Sequence, residues 1–458
     1  MSLRTLVAAR RKPDSHVLWL VSPSLRRTSV GRMPLDYKIA ERTLANGLRV
    51  IVSEDHSVPN VTVNLWVNVG SRHEVEGRTG FAHLFEHLMF QGSANVASGE
   101  HFSALMAAGG RLNATTWFDR TNYFETVPRG AMDLALWMEA DRHGRLLDAV
   151  NQENLDNQRD VVKEEKRQRY DNMPYGNALI DIYAAIFPKG HPYHHATIGS
   201  MADLDAASVQ DVHDFFRSHY GPNNTVLALV GDLTPEEGFA AAERHFGPLP
   251  ATASARREPV EALAPLSDPV RDEHVEEVPS DHLYIAFRLP VDDTPEFFAA
   301  SLAMDAIGGL ATSRLCQRLV RREQSATSVS AHAMGFVDGI SLGFIMVDVA
   351  EGFRPDDVEE AVCEELVRFA EQGPTDIEME SAMAQSERGW LSSLASQEER
   401  ADHICHFATL QGDSGYINTF LDRLAEVTPA QVQQAAARWL MPRSRAVVAY
   451  LKQDGDTQ

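Results

Sequence analysis

Alternating apolar and polar positions predict β-strands in both halves of the chain. Residues 44–52 contain a turn signal at Asn46-Gly47 followed by an alternating stretch, and residues 61–69 alternate again. Residues 282–287 and 341–349 show the same kind of pattern in the second half. Because long helical segments accompany these strands, we predict an α+β fold.

Two segments that lie 220 positions apart share one pattern. Residues 205–230 and 425–450 each contain a helix N-cap, supplied by Ser208 and Thr428, and then a proline-containing turn before an apolar strand. A repeated helix, turn and strand indicates internal duplication. We therefore predict two similar domains, each an antiparallel-rich sheet packed with long helices.

The chain of 458 residues is too long for a single hydrophobic core. Residues 248–269 are rich in Ala, Pro and Arg, which predicts a linker between domains. The N-terminal domain is then expected at residues 34–247 and the C-terminal domain at residues 270–458, with a basic leader at residues 1–33.

The overall composition excludes two classes of function. The net charge of −23 argues against nucleic acid as a partner, because a surface that binds phosphates must be basic. The sequence contains no apolar run of about 18 residues, so we predict no membrane span. Hydrophobic and charged contents of 44% and 23% are typical of a globular protein.

His83, Glu86 and His87 form the motif H-x-x-E-H. On a helix the two histidines share one face with Glu86 close by. Two imidazoles and a third protein ligand can hold zinc with one position open for water, and a nearby carboxylate can take a proton from that water. A hydrogen-bonded core cluster is the alternative. The apolar residues around the motif favour the metal, because burying polar groups there is costly unless something binds them.

A third ligand should come from a second helix. Residues 156–169 are strong helix formers without Pro or Gly, and they include the adjacent Glu164 and Glu165. Either carboxylate could reach a metal.

Several further motifs accompany H-x-x-E-H, and together they resemble the pitrilysin/insulysin family of inverzincin zinc metallopeptidases. The resemblance covers about residues 36–452 and is strongest to bacterial proteins that are similar to the β subunit of the mitochondrial processing peptidase. The matching stretches are residues 70–74, 80–92, 109–116, 121–123, 158–165 and 174–176.

The resemblance implies a zinc ion on His83 and His87, with Glu86 as the general base. The family's third ligand ends a helical motif that here runs to Glu165, so Glu165 is our expected ligand. Counting from the second histidine by a common family spacing would instead favour Glu164. Gln158 occupies a position that is often Glu in the family, which leaves the surroundings of the metal less acidic.

The resemblance also assigns a substrate-binding role to Asn113, Ala114 and Thr115. In the family this segment is an edge strand to which an extended peptide adds through backbone hydrogen bonds. The alternative is an ordinary core strand that follows a Gly-Gly turn. The family's fold is a pair of α+β domains that face each other.

One departure from the family lies in the second half. Family members carry an Arg and a Tyr that stabilise the peptide carbonyl, but here Val320 and Thr327 occupy those positions. Arg321 or Arg322 could replace the arginine only through a register shift. We therefore predict a zinc endopeptidase for peptides or unfolded polypeptides, the catalytic subunit of a heterodimer whose homologous partner supplies the Arg and Tyr.

A non-catalytic structural subunit of a larger complex is the alternative function. Family members of that kind tend to lose the zinc residues, whereas the whole H-x-x-E-H motif is present here.

The leader bears on localisation. Residues 1–32 carry seven Lys or Arg and one acid, which gives them a net charge of +6 and the remainder −29. Such a segment is typical of a mitochondrial presequence. The bacterial character of the motifs favours instead a disordered or misassigned extension, with Met33 as another start. We predict a bacterial cytoplasmic protein, with the mitochondrial matrix as the alternative.

Overall fold

The computed structural model describes residues 35–252 and 260–453. The predicted leader at residues 1–33 lies outside the described residues, and the predicted linker at residues 248–269 lies partly outside them. The described residues from Tyr37 onward belong to one compact unit. The domain boundaries therefore stay a prediction. The first half of the described chain comprises residues 37–252 and the second half residues 260–453.

The first half contains a six-stranded sheet. Its strands are β1 (Ala40–Thr43), β2 (Arg49–Glu54), β3 (Asn60–Val67), β4 (Arg111–Thr116), β5 (Thr121–Pro128) and β6 (Thr225–Gly231). They lie in the order β1-β2-β6-β3-β5-β4, and all pairs are antiparallel except β2 with β6. The predicted turn at Asn46-Gly47 joins β1 to β2, and Gly47 has a φ of 90°, which favours glycine.

Eight helices accompany this sheet in the described part of the first half. They are α1 (Phe81–Leu88), α2 (Glu100–Ala107), α3 (Met132–Arg145), α4 (Gln152–Lys166), α5 (Ala178–Ile186), α6 (Met201–Ala206), α7 (Val209–His219) and α8 (Pro235–Phe246). The side chains of β3 alternate between the two faces of the sheet. Val61, Val63 and Leu65 are buried in one core with apolar residues of α3 and α8.

The second half contains a five-stranded sheet and six helices in its described residues. The strands are β7 (Val270–Glu276), β8 (His282–Leu289), β9 (Ala326–Met334), β10 (Ser341–Val349) and β11 (Ala446–Lys452). The helices are α9 (Pro295–Met304), α10 (Pro355–Gln372), α11 (Asp376–Leu394), α12 (Gln397–His406), α13 (Phe420–Ala425) and α14 (Pro429–Trp439). The strand order is β7-β11-β8-β10-β9.

The two halves repeat one topology, which confirms the predicted fold class. The order β2-β6-β3-β5-β4 in the first sheet corresponds to β7-β11-β8-β10-β9 in the second. In each series the first pair is parallel and the others are antiparallel. Ser208 and Thr428 form the capping boxes that begin α7 and α14, and a turn beginning with proline leads from each helix into a buried strand.

Each half contributes a helix to the sheet of the other half. Helix α12 packs against β3 and β6, and α5 packs against β7, β8 and β11. Trp66 Nε1 on β3 donates to Asp402 of α12 at 2.8 Å. The Tyr450 hydroxyl on β11 donates to Asp181 of α5 at 2.6 Å. The second face of each sheet is therefore covered only when both halves are present.

Phe336, in the loop between β9 and β10, is the apolar anchor between the halves. Its side chain is fully buried against rings of the first half. The ring centroids of Tyr193, Phe118 and Phe187 lie 4.4, 5.0 and 6.0 Å from that of Phe336.

No helix among the described residues is long and apolar enough to cross a membrane.

We expect Phe336→Ala to lower the free energy of unfolding by about 3–5 kcal/mol, because the substitution removes a buried ring and leaves a cavity. Denaturant unfolding of the purified chain measures the change. Phe353→Ala is the matched control, since Phe353 is 44% exposed and its removal should cost roughly 0.5 kcal/mol or less. Equal effects of the two substitutions would contradict the role of Phe336.

Candidate metal centre

Helix α1 has one open face, and the three motif residues lie on it. Its buried residues are Phe81, Ala82, Leu84, Phe85 and Leu88. His83, Glu86 and His87 are half-buried on the remaining face. The apolar residues fix the rotation of α1 in the core, so that the polar residues point into a cleft.

Helix α4 supplies the second wall of this cleft. Asn151 caps the helix by accepting a hydrogen bond from Asn154 N at 3.0 Å, and Leu155 and Val162 are buried. The predicted helical segment thus forms as expected up to Lys166, where a π-helical turn follows. Helix α4 packs against α1, and Glu165 lies in the last turn of α4.

The structure brings His83, His87 and Glu165 together. The Nε2 atoms of the two histidines are 3.3 Å apart, and Glu165 Oε2 lies 3.5 Å from His83 Nε2 and 3.3 Å from His87 Nε2. Tetrahedral zinc with bonds of about 2.0–2.1 Å needs ligand atoms about 3.3–3.4 Å apart. The three side chains therefore fit a zinc ion in both chemistry and spacing.

The protonation states suit metal binding. Burial lowers the pKa of His83 to about 4, which favours the neutral imidazole. A hydrogen bond from His87 lowers the pKa of Glu165, whose other oxygen, Oε1, is held by Arg169 at 2.8 Å. His83 Nδ1 has no hydrogen-bond partner among the described residues.

Glu86 lies beside these ligands and has a different set of neighbours. Its Oε2 accepts a hydrogen bond from the Thr116 hydroxyl on β4 at 2.6 Å. Burial raises the pKa of Glu86, while the hydrogen bond from Thr116 and the charges of His87 and Arg120 oppose that rise. A half-buried carboxyl with a raised pKa, next to candidate metal ligands, is suited to accept and release a proton.

Glu164 points away from the cleft. It is exposed, pairs with Arg167 and accepts a hydrogen bond from Gln168 Nε2 at 2.8 Å. One residue turns a helix by about 100°, which accounts for the separation of Glu164 from Glu165. Gln158, which the sequence singled out as a departure from the family, is buried on α4.

The segment that contains Asn113, Ala114 and Thr115 is strand β4 at the edge of the first sheet. It pairs only with β5 among the described residues. Asn113 is exposed, Ala114 is buried and Thr115 donates a hydrogen bond to Asn122 Oδ1 at 2.6 Å. Because side chains alternate, Thr116 faces Glu86 while Thr115 faces the opposite side.

The segment that should carry Arg and Tyr contains no substitute in register. Val320 is half-buried in the π-helical segment Cys316–Arg322, and Thr327 is exposed on β9. Arg321 and Arg322 are exposed as well. The sequence has no tyrosine between Tyr284 and Tyr416.

Two side chains at the centre were not assigned a role from the sequence. Arg169 lies four positions after Glu165 and pairs with it. This is the spacing of an ion pair on a helix, so the pair could have been predicted from the sequence. Thr116 follows the predicted peptide-binding residues and contacts Glu86 through the fold. Side-chain alternation along a strand predicts that Thr116 and Thr115 face opposite sides of the sheet. The structure shows that Glu86 lies on the side of Thr116.

Comparisons with known proteins identify the family of the chain. The model of the insulinase family, peptidase family M16, matches residues 49–199, and the model of the peptidase M16 inactive domain matches residues 206–386. Zinc protease PqqE of Helicobacter pylori is 27% identical over 390 residues, which are 83% of this chain and 86% of that protein. An uncharacterized zinc protease of Mycobacterium leprae is 28% identical over 413 residues, 90% of this chain and 91% of the relative.

The fold is also found in solved structures. A crystal structure of a protease from Helicobacter pylori has a TM-score of 0.84 at 23% identity and covers 91% of this chain and 99% of that chain. At this identity the likeness concerns the fold alone. The two M16 models together match more than half of the chain and confirm the resemblance found in the motifs, and the chain is therefore a member of peptidase family M16.

Proposed function

We propose that the chain is a zinc-dependent endopeptidase that cleaves peptides or unfolded polypeptides. The observation that carries this proposal is the triangle of His83, His87 and Glu165 ligand atoms, with sides of 3.3 to 3.5 Å, beside the half-buried carboxyl of Glu86. Membership of the family and relatives named zinc proteases support it.

In this proposal His83, His87 and Glu165 hold the zinc ion. When bound, the ion supplies a Lewis acid that lowers the pKa of a water molecule and polarises the peptide carbonyl. Arg169 keeps the Glu165 carboxylate oriented toward the histidines by pairing with its second oxygen.

Glu86 is the general base. It takes a proton from the attacking water and later gives it to the leaving amine. The Thr116 hydroxyl holds one oxygen of this carboxyl and thereby limits its rotation.

The peptide binds to the free edge of β4 as an additional strand. Backbone groups of Asn113, Ala114 and Thr115 form the hydrogen bonds, so that binding depends little on sequence. Thr116 on the same strand donates a hydrogen bond to Glu86. A peptide added to the edge of β4 would therefore lie next to the base.

The active form is a heterodimer with a homologous partner subunit. Val320 and Thr327 cannot stabilise a developing negative charge on the peptide carbonyl as Arg and Tyr would. A partner chain that carries both residues would complete the site. The bacterial cytoplasm stays the predicted compartment.

A non-catalytic structural role is less well supported than catalysis. The model named for an inactive domain matches residues 206–386, whereas the candidate metal ligands lie in the first half. An inactive second domain therefore does not argue against a metal centre in the first.

We expect Glu86→Gln to keep about one zinc ion per chain and to lower peptide hydrolysis by roughly 10²–10⁴-fold, because the base is lost and the ligands remain. Zinc content and turnover of a quenched peptide, measured on one preparation, test this. Glu164→Gln is the control and should leave both quantities unchanged. Loss of zinc from the Glu86 variant would make Glu86 a ligand.

The two adjacent glutamates should differ in zinc affinity. Glu165→Gln removes an anionic ligand and should weaken binding strongly, whereas Glu164→Gln changes an exposed residue that points away from the cleft. Equilibrium titration against a chelator measures both dissociation constants. A larger effect at Glu164 would show that the register of α4 is wrong by one residue.

We expect the purified chain alone to bind zinc but to hydrolyse peptides slowly. Loss of one oxyanion donor typically costs about 10²–10³-fold. Addition of a homologous partner with the Arg and Tyr should restore turnover, and substitution of either residue in that partner should abolish the gain. Full activity of the isolated chain, unchanged by any partner, would contradict the heterodimer.

A further inference from the structure

Helix α1 begins against a buried carboxylate from outside the helix. Glu74 has no exposed side-chain surface. Its Oε2 accepts a hydrogen bond from Gly80 N at 2.8 Å, and its Oε1 accepts one from Ala82 N at 2.8 Å. His195 Nε2 lies 2.9 Å from Oε2. The carboxylate thus joins the first turn of α1 to a segment more than 100 residues later.

This arrangement favours an ionised acceptor. Two backbone N–H groups, one on each oxygen, and one imidazole nitrogen face the carboxylate of Glu74. Burial raises the pKa of Glu74, and His195 and the two amides oppose that rise. A negative charge at this end also suits the dipole of α1.

The equivalent helix of the second half begins differently. Helix α9 follows β8 as α1 follows β3, and it has an ordinary local cap in which Thr294 Oγ1 accepts a hydrogen bond from Phe297 N at 3.1 Å. Helix α9 carries no histidine. A neighbouring hydroxyl is therefore enough to begin a helix at this place in the fold. The buried carboxylate accompanies only the helix with the metal-site residues.

The backbone at the start of α1 also packs closely against the backbone at Gly199. Gly80 has a φ of 87°, and a Cβ on Gly199 would lie only 2.2 Å from Gly80 N. His83 follows Ala82 directly, so a shift of the first turn moves the first candidate ligand. Glu165, on α4, would not move with it.

We propose that Glu74 is a positioning residue of the metal centre, whose buried carboxylate, held by His195, fixes the first turn of α1 so that His83 and His87 face Glu165. The inference rests on the proposed function in taking these three residues as zinc ligands. Glu74 acts through α1 and does not contact the metal or the substrate.

Glu74→Gln tests this role with little change in volume. The amide has a single oxygen, so one of the two N–H groups at Gly80 and Ala82 loses its acceptor. We expect the zinc dissociation constant to rise about 10–100-fold, as for other residues that orient metal ligands. The visible absorption spectrum of the cobalt-substituted protein should shift, and at saturating zinc kcat should fall more than KM rises.

Thr294→Ala is the matched control, because it removes the cap of the equivalent helix α9. It should lower the midpoint of thermal unfolding and leave zinc affinity and the cobalt spectrum unchanged.

His195, which contacts the Glu74 carboxylate, offers a second test. His195→Leu should weaken zinc binding, and His195→Gln, which keeps an N–H donor, should restore part of it.

The outcomes separate the inference from the proposed function. If Glu74→Gln lowers only the unfolding midpoint, as Thr294→Ala does, Glu74 is structural and the inference is wrong. If Glu74→Gln does not fold, the two His195 variants decide, and equal zinc affinities in both would overturn the inference. Absence of zinc binding by the unsubstituted chain would contradict the proposed function itself, and the inference with it.

Discussion

Each sheet of this protein depends on a helix from the other half of the chain. Helix α12 covers one face of the first sheet, and α5 covers one face of the second. Helix α5 follows α4 after a π-helical turn, and α4 carries Glu165. Packing of α5 against the second sheet therefore restrains the helix that supplies the third candidate ligand. The candidate metal centre lies in the first half, but one of its two helices is connected to a helix that packs on the second sheet.

The contacts between the halves combine polar and apolar parts with different effects. Asp402 of α12 accepts hydrogen bonds from Trp66 at 2.8 Å and from Asn122 at 2.9 Å, on the face of the first sheet opposite to its apolar core. Such bonds add little net stability, but a buried group left without them would be costly, so they select one arrangement of α12. Phe336 supplies the apolar burial that favours closing the halves.

The strands and the duplication could be predicted from the sequence because they depend on local periodicity, and the candidate metal residues could be proposed from their spacing. The order of the sheets and the exchange of α5 and α12 depend on tertiary packing, which one sequence does not reveal. The choice between Glu164 and Glu165 depends on the rotation of α4, which buried Leu155 and Val162 determine. Thr116 and Glu74 were visible as motif residues, but their hydrogen bonds to Glu86 and to α1 join separate segments.

The fold of the second half depends little on which residues occupy positions 320 and 327. Thr327 is exposed on the edge strand β9, and Val320 is half-buried in an irregular helical segment, so neither position is in the fully buried core. Substitution there removes little packing, and β9 remains paired with β10 along its length. The second half can thus cover the first sheet through α12 and bury Phe336 whether or not these two positions carry Arg and Tyr.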